Sequence, residues 1–241
     1  MKYFCDLHIH SALSPCGDND MTPNNIVNMA YLCGLDIIAV CDHNSIGNVE
    51  ATIKAAENLP LTVVPGMELE TSEEVHFVCL FENMEAAKDF DNWLTPYKSQ
   101  IKNRPEIFGE QYYMDENDEV TGTELNLLVT ATSCSIYDAK KKIDTLPAVI
   151  FPAHIDRSSY SVISNLGFIP EDLNFNTVEI SKNVKKEDIL TKFPYVNDYN
   201  IITNSDSHYL DTFYEKENPI ELEEKTAKAL ILHLLKSNKN F

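Results

Sequence analysis

Seven short, near-continuous apolar runs separated by helical patterns constrain this chain more than any other feature. Residues 3–7, 37–41, 61–64, 75–81, 149–152, 177–180 and 200–203 read as buried strands, because a strand covered on both faces loses its apolar–polar alternation. Between the first two, Thr22 and Pro23 read as the N-cap and first residue of a helix that stops at Gly34. Further helical patterns cover 49–58, 85–97 and 136–146. Strands alternating with helices predict a parallel sheet covered by helices, and seven of them in 241 residues predict an α/β barrel of the TIM-like type. One domain is expected over 1–241, with an insertion at about 100–123. That stretch is polar, holds Pro105 and suggests a small hairpin around Glu116-Asn117-Asp118 at the barrel rim, as a surface excursion or a lid. A last helix over 222–235 carries an apolar stripe at Ala227, Leu230, Ile231 and Leu234 and is expected to dock on the barrel exterior.

Composition narrows the function classes. Aromatics at 10% and a large Ile, Leu and Val content exclude a disordered chain. Thirty-eight acidic residues against nineteen basic ones leave a net charge of −19, which argues against a long nucleic acid or an anionic membrane as partner. The six Cys form no CxxC pair, and Cys5, Cys41 and Cys79 sit in apolar runs as expected buried thiols. Neither a signal-peptide core nor an 18-residue apolar stretch is seen, so a cytoplasmic location with reduced thiols is expected.

The chemistry sits at the ends of the runs. In DLHIHS, alternation puts Asp6, His8 and His10 on one face, within reach of one metal. CDHN adds Asp42 and His43, VPGMELE adds Glu68, EVHFVCL opens with His76, FPAHIDR adds His154, and ITNSDSH adds Asp206 and His208. Six of the seven His stand at strand ends, and only His233 lies in the last helix. A single such His is most simply a hydrogen-bonded one. Six of them with several carboxylates at one barrel mouth would leave desolvated and mutually repelling groups unless cations were present.

Taken in order, DLHIHS, the DHN turn, the G-x-E of GMELE, the isolated His154 and the closing DSH resemble the motifs of the PHP family, named for its polymerase and histidinol phosphatase members. The resemblance covers nearly the whole chain and implies a distorted (β/α)7 barrel that hydrolyses phosphate esters with two or three divalent ions, Zn, Mn or Fe. No polymerase-like region follows, which implies a stand-alone phosphoesterase. It further implies that His8, His10, Glu68 and Asp206 hold one ion, that Glu68 shares a second with His76 and His154, and that His43 and His208 hold a third. Many members supply a single acidic or His ligand soon after HxHS, whereas SPCGDND here offers Asp18 or Cys16, Asp18 being favoured by its distance from the helix start. Glu70 shares a strand face with Glu68 but not its motif, and Asp6 and Asp42 are expected to accept hydrogen bonds from ligand imidazoles.

Adjacent cations would hold the phosphoryl oxygens and acidify a bridging water, so no side-chain nucleophile is needed. Glu68 and Asp206 are thereby the expected catalytic carboxylates, and Arg157 and Lys182 the expected phosphate clamps, Arg with its bidentate fork preferred. Asp156 either protonates a leaving group or orients Arg157. The substrate expected first is a small phosphorylated molecule. Alternatives are an exonuclease-like phosphodiesterase acting on nucleotide ends, an amidohydrolase-like enzyme cleaving a C–N bond, and a noncatalytic metal-binding module. The oligomeric state is left open.

Overall fold

The computed structural model describes residues 1–217 and 219–237. Its centre is built from seven strands: β1 (Cys5–Ile9), β2 (Ile37–Val40), β3 (Thr62–Glu70), β4 (His76–Phe81), β5 (Ala148–Pro152), β6 (Thr177–Ser181) and β7 (Asn200–Asn204). The first five form one sheet in chain order, and β6 and β7 form a parallel pair. β1, β2 and β3 run parallel, but β4 runs antiparallel to both β3 and β5, so the all-parallel sheet expected from the apolar runs is corrected to a mixed one. The physical reason is the connection. Only residues 71–75 separate β3 from β4, and a parallel crossover needs a dozen or more. The reversal brings His76, at the start of β4, to the rim where the neighbouring strands end, opposite Glu70.

The architecture is a mixed α/β fold, and no closed ladder forms among the described residues. Single bonds join the two sheets instead. Ile155 N donates to Glu179 O at 2.9 Å, Leu7 N donates to Asn204 Oδ1 at 2.9 Å, and an isolated parallel bridge links Ile9 to Ser207.

Among the described residues, seven helices of five or more residues flank these strands: α1 (Pro23–Leu32), α2 (Val49–Ala55), α3 (Met84–Leu94), α4 (Ile136–Ile143), α5 (Val162–Leu166), α6 (Lys186–Lys192) and α7 (Ala227–Leu234). α1 starts where its residues dictate, the Thr22 hydroxyl accepting from Asn25 N ahead of Pro23 at the first helical position. α1 to α4 bury residues such as Ile26, Val49, Phe90 and Ile136 with one face of the sheet, including Ile38, Val40, Phe77 and Cys79. Leu230, Ile231 and Leu234 of α7 pack on the opposite face, with Leu7, Ala39, Val64, Val78 and Phe151. The last helix therefore does not join the exterior layer, since that opposite face is also wholly apolar and has to be covered. It begins later than expected, because Ile220–Glu221 first pairs antiparallel with Lys2–Tyr3.

The hairpin in the polar segment forms between Tyr112–Met114 and Val120–Thr123, its turn held by the Asp115 carboxylate accepting from Asn117 N and Glu119 N. It is docked by its backbone: Tyr112 N donates to Ala12 O at 2.9 Å, Met114 N donates to Asn48 Oδ1 at 2.9 Å, and Asp118 accepts from Asn24 N. Gly109 makes this approach possible. It has a φ of +99°, and a Cβ there would strike the Pro15 carbonyl. Cys5, Cys41 and Cys79 are buried free thiols. Among the described residues no helix is long and apolar enough to cross a membrane.

Candidate metal centre

Glu68, in the last turns of β3, is 1% exposed and lies at the centre of the cluster. Its Oε1 is 2.9 Å from His76 Nδ1, 3.2 Å from His154 Nε2 and 3.3 Å from His8 Nε2. Its Oε2 is 3.0 Å from His43 Nδ1 and 3.4 Å from His10 Nε2. Gly66, two residues earlier, lets β3 come this close. A Cβ on it would lie 2.8 Å from Val40 O and 2.5 Å from Cys41 Sγ. Glu70, on the same strand face, instead faces the far nitrogen of His76 at 3.7 Å.

Asp206 closes the cluster from the end of β7, its Oδ1 3.0 Å from His10 Nε2 and 3.5 Å from His8 Nε2. Asp206 and His154 both take positive φ, +50° and +28°. Such backbone is costly for non-glycine residues and turns each chain sharply at the rim. His208 stacks on His10 with ring centroids 4.1 Å apart, and His43 lies 4.6 Å from His10 on the centroid measure. Three groups bring their donor atoms within 4.8 Å of one another: His8, His10 and Glu68; His43, Glu68 and His76; and His10, His43 and His208.

The supporting bonds differ from those expected. His8 Nδ1 lies 3.1 Å from both carboxylate oxygens of Glu179, a residue the sequence reading passed over as part of an apolar run. Glu179 Oε1 also accepts from His154 N, and its Oε2 from Asn204 Nδ2 at 2.7 Å, so one buried carboxylate ties β1, β5 and β7 together. Its signal was the lone charge in TVEI, since a buried Glu needs partners. His10 Nδ1 meets Ser14 Oγ at 3.0 Å, and Ser14 in turn donates to Asp42 at 2.7 Å. Asp42 thus acts on an imidazole through a hydroxyl. Asp6 accepts from Ser205 N and Tyr214 N, and not from the imidazoles it was expected to fix.

The other expected residues are divided by the fold. Arg157 Nη2 sits 2.7 Å from Asp206 Oδ2 at the exposed edge of the cluster. Lys182 Nζ donates instead to the Thr212 carbonyl, in the chain that returns after β7. Asp156 accepts from Ser181 N and so braces β6 rather than Arg157. Asp18, favoured from its spacing, is exposed, and its carboxylate accepts from Asp20 N at 2.9 Å in a local turn. Cys16, also an exposed residue, stands in its place because its Sγ lies 3.3 Å from His43 Nε2. Tyr160, also unforeseen, stacks on His76 at 4.9 Å between centroids.

The charges interlock. Burial would raise Glu68, but His76, His8 and His43 hold it well below the usual carboxylate range. Asp206 is likewise held low by His8 and His10 against burial. Burial would lower His8, yet Glu179, Asp206 and Glu68 lift it well above 6.5. His43, His76 and His208 are raised in the same way, whereas burial and the neighbouring His208 push His10 well below. Burial alone would raise the Cys16 thiol, and the bonds from His208 and His43 bring it down to about 6. Among the described residues His43 Nδ1, His76 Nε2 and His154 Nδ1 are buried without a partner in hydrogen-bonding geometry. Converging imidazoles and carboxylates with unsatisfied nitrogens are the donor set of divalent ions such as Zn, Fe and Mn.

The model of the PHP domain matches residues 6–232. The chain belongs to the PHP family. The lesion-specific endonuclease Q of Pyrococcus furiosus superposes with a TM-score of 0.73 at 18% identity, over 98% of this chain and 56% of its own. A structure described as a metal-dependent phosphoesterase from Bifidobacterium adolescentis gives 0.58 at 16% identity, over 95% of both chains. A 5′-3′ exoribonuclease of Haemophilus influenzae is 33% identical over 78 residues, 31% of this chain and 27% of the relative. This PHP chain therefore spans about half of endonuclease Q. A second endonuclease Q structure, TM-score 0.73 at 16% identity, holds a 27-mer duplex with an abasic lesion at its active site. That finding overturns the exclusion of long nucleic acid drawn from the net charge. Net charge describes a whole surface, whereas phosphate recognition at a metal centre is local.

Proposed function

We propose that this chain hydrolyses phosphate esters with two or three divalent ions, Zn, Mn or Fe, at the mouth of a distorted seven-stranded barrel. The observation that carries the reading is the Glu68 carboxylate set within 3.4 Å of five imidazoles and beside Asp206. The single bonds joining β1 to β7 and β5 to β6 support the barrel, since they bring the two sheets edge to edge. His8, His10, Glu68 and Asp206 would hold one ion, Glu68, His76 and His154 a second, and His43 and His208 would contribute to a third. Bound there, the ions would neutralise phosphoryl oxygens and lower the pKa of a water toward neutrality.

The remaining roles belong to the chain. Glu179 and Ser14 accept from the Nδ1–H of His8 and His10, which leaves each Nε2 lone pair facing the cluster. Arg157, half-exposed and held by Asp206, would turn its fork to two oxygens of an arriving phosphate. The first substrate class is a small phosphorylated molecule. A second reading, a nucleotide phosphodiester, is supported by the likeness to endonuclease Q and by the shorter match to the exoribonuclease. The test is turnover by metal-loaded protein on four substrates: a phosphomonoester, a mononucleotide, a 5′-phosphorylated single strand and an abasic duplex. Release of phosphate or nucleotide from at least one of them, abolished by Glu68→Gln, is expected. Hydrolysis of amides with none of these phosphoesters would contradict the proposal.

A further inference from the structure

Near the Glu68 positions lies a donor group of different chemistry. His10, His43 and His208 bring ring nitrogens within 4.8 Å of one another, and His10 and His43 are buried. Asp206 faces this group from one side, its Oδ1 3.0 Å from His10 Nε2 and 3.7 Å from His208 Nδ1. Glu68 reaches only the inner side of His43. On the outer side, Nε2 of the same ring meets Cys16 Sγ at 3.3 Å.

The loop holds the sulfur there. Gly17 N donates to Ser14 O, and Asp18 N donates to the carbonyl of His208 itself, both at 2.9 Å, which clasps Cys16 between two of the imidazole-bearing segments. The same clasp turns Asp18 outward, its carboxylate engaged by Asp20 N. We infer that Cys16 is a thiolate ligand of the ion held with His43 and His208, a role resting on the metal-dependent reading above. On binding, the S–H proton leaves to water and a metal–sulfur bond forms. A sulfur and imidazole set selects zinc over manganese, whereas the mixed imidazole and carboxylate positions around Glu68 accept either. The chain would then hold one position of fixed zinc preference beside two of broader choice.

The full chain, stripped by chelator and reloaded with cobalt(II), tests this by absorption. A sulfur-to-cobalt charge-transfer band is expected in the near ultraviolet, lost in Cys16→Ser and in Cys16→Asp and kept in Cys33→Ser. Cys16→Ser is also expected to bind one zinc fewer per chain, while Cys16→Asp keeps the ion and gains tolerance for manganese. Circular dichroism checks that each variant is folded. Alkylation of Cys16, located by mass spectrometry, should be blocked by zinc in the unmodified chain. A band that survives Cys16→Ser, or bound cobalt with no band, overturns the role of Cys16. The phosphoesterase reading is judged separately, on turnover.

Discussion

Glu68 is kept ionised inside the protein by the five imidazoles around it, and the imidazoles are kept apart from one another by Glu68 and Asp206. Either set alone would be an uncompensated buried charge. Glu179 sets how well His8 presents its Nε2, and its loss is the informative single change. Glu179→Gln is expected to weaken metal binding by about 10–100-fold, read by competition with a chelating dye, with little loss of secondary structure. Unchanged affinity would show that the bond to His8 Nδ1 does not matter. The imidazoles and Glu68 were legible in the sequence because strand ends collect side chains at one rim, whatever the details of the ladder. Cys16 and Asp18 were harder to rank. They sit in a loop whose shape comes from backbone bonds such as Ala12 N to Met21 O, which follow no periodicity. Glu179 was missed because its neighbours Val178 and Ile180 made the run look purely apolar.

Among the elements, β3 and β4 govern the site. The third strand, expected over 61–64, continues to Glu70 and carries Glu68 within it. Its antiparallel turn into β4 was readable in principle from the short 71–75 link. Gly66→Ala is expected to destabilise by about 1–3 kcal/mol and to lower metal content, because the new methyl would press on Val40 O and move Glu68. Denaturant unfolding and metal analysis of the same sample check both effects. α7 was legible as an amphipathic helix, but not as to its side of the sheet, because an apolar stripe fits either face. If it covers the inner face, Leu230→Ala should cost about 2–5 kcal/mol, as for a fully buried leucine, whereas a loss below about 1 kcal/mol would indicate a loosely docked helix.

Over the whole molecule, the cluster links stability to pH in opposite senses with and without metal. In the metal-free fold, His8, His43, His76 and His208 are raised above 6.5, so their stabilisation is full below that pH and is lost as pH rises through the folded values. Glu68 and Asp206 are depressed, so theirs is present above about 4.5 and is lost as pH falls through the lowered values. His10, lowered by burial, and the Cys16 thiol, brought down to about 6 and so gaining stability as pH rises, work against the first group without outweighing four raised imidazoles. Chelator-treated protein is therefore expected to melt at lower temperature at about pH 8 than at about pH 6, and zinc addition above 6.5 should release protons, read by calorimetry in two buffers. A melting temperature that rises over this interval without metal would contradict the charge pattern. The family and most of the cluster followed from the order of motifs along the chain. The substrate did not, because the −19 charge is spread over the whole surface and says little about one mouth. The most direct measurement is phosphate-ester turnover by protein stripped of metal and then reloaded, with Glu68→Gln run beside it. Turnover absent after stripping, restored by zinc or manganese in the unmodified chain and not in the variant, is the expected result, and full turnover by folded, metal-free protein would contradict it.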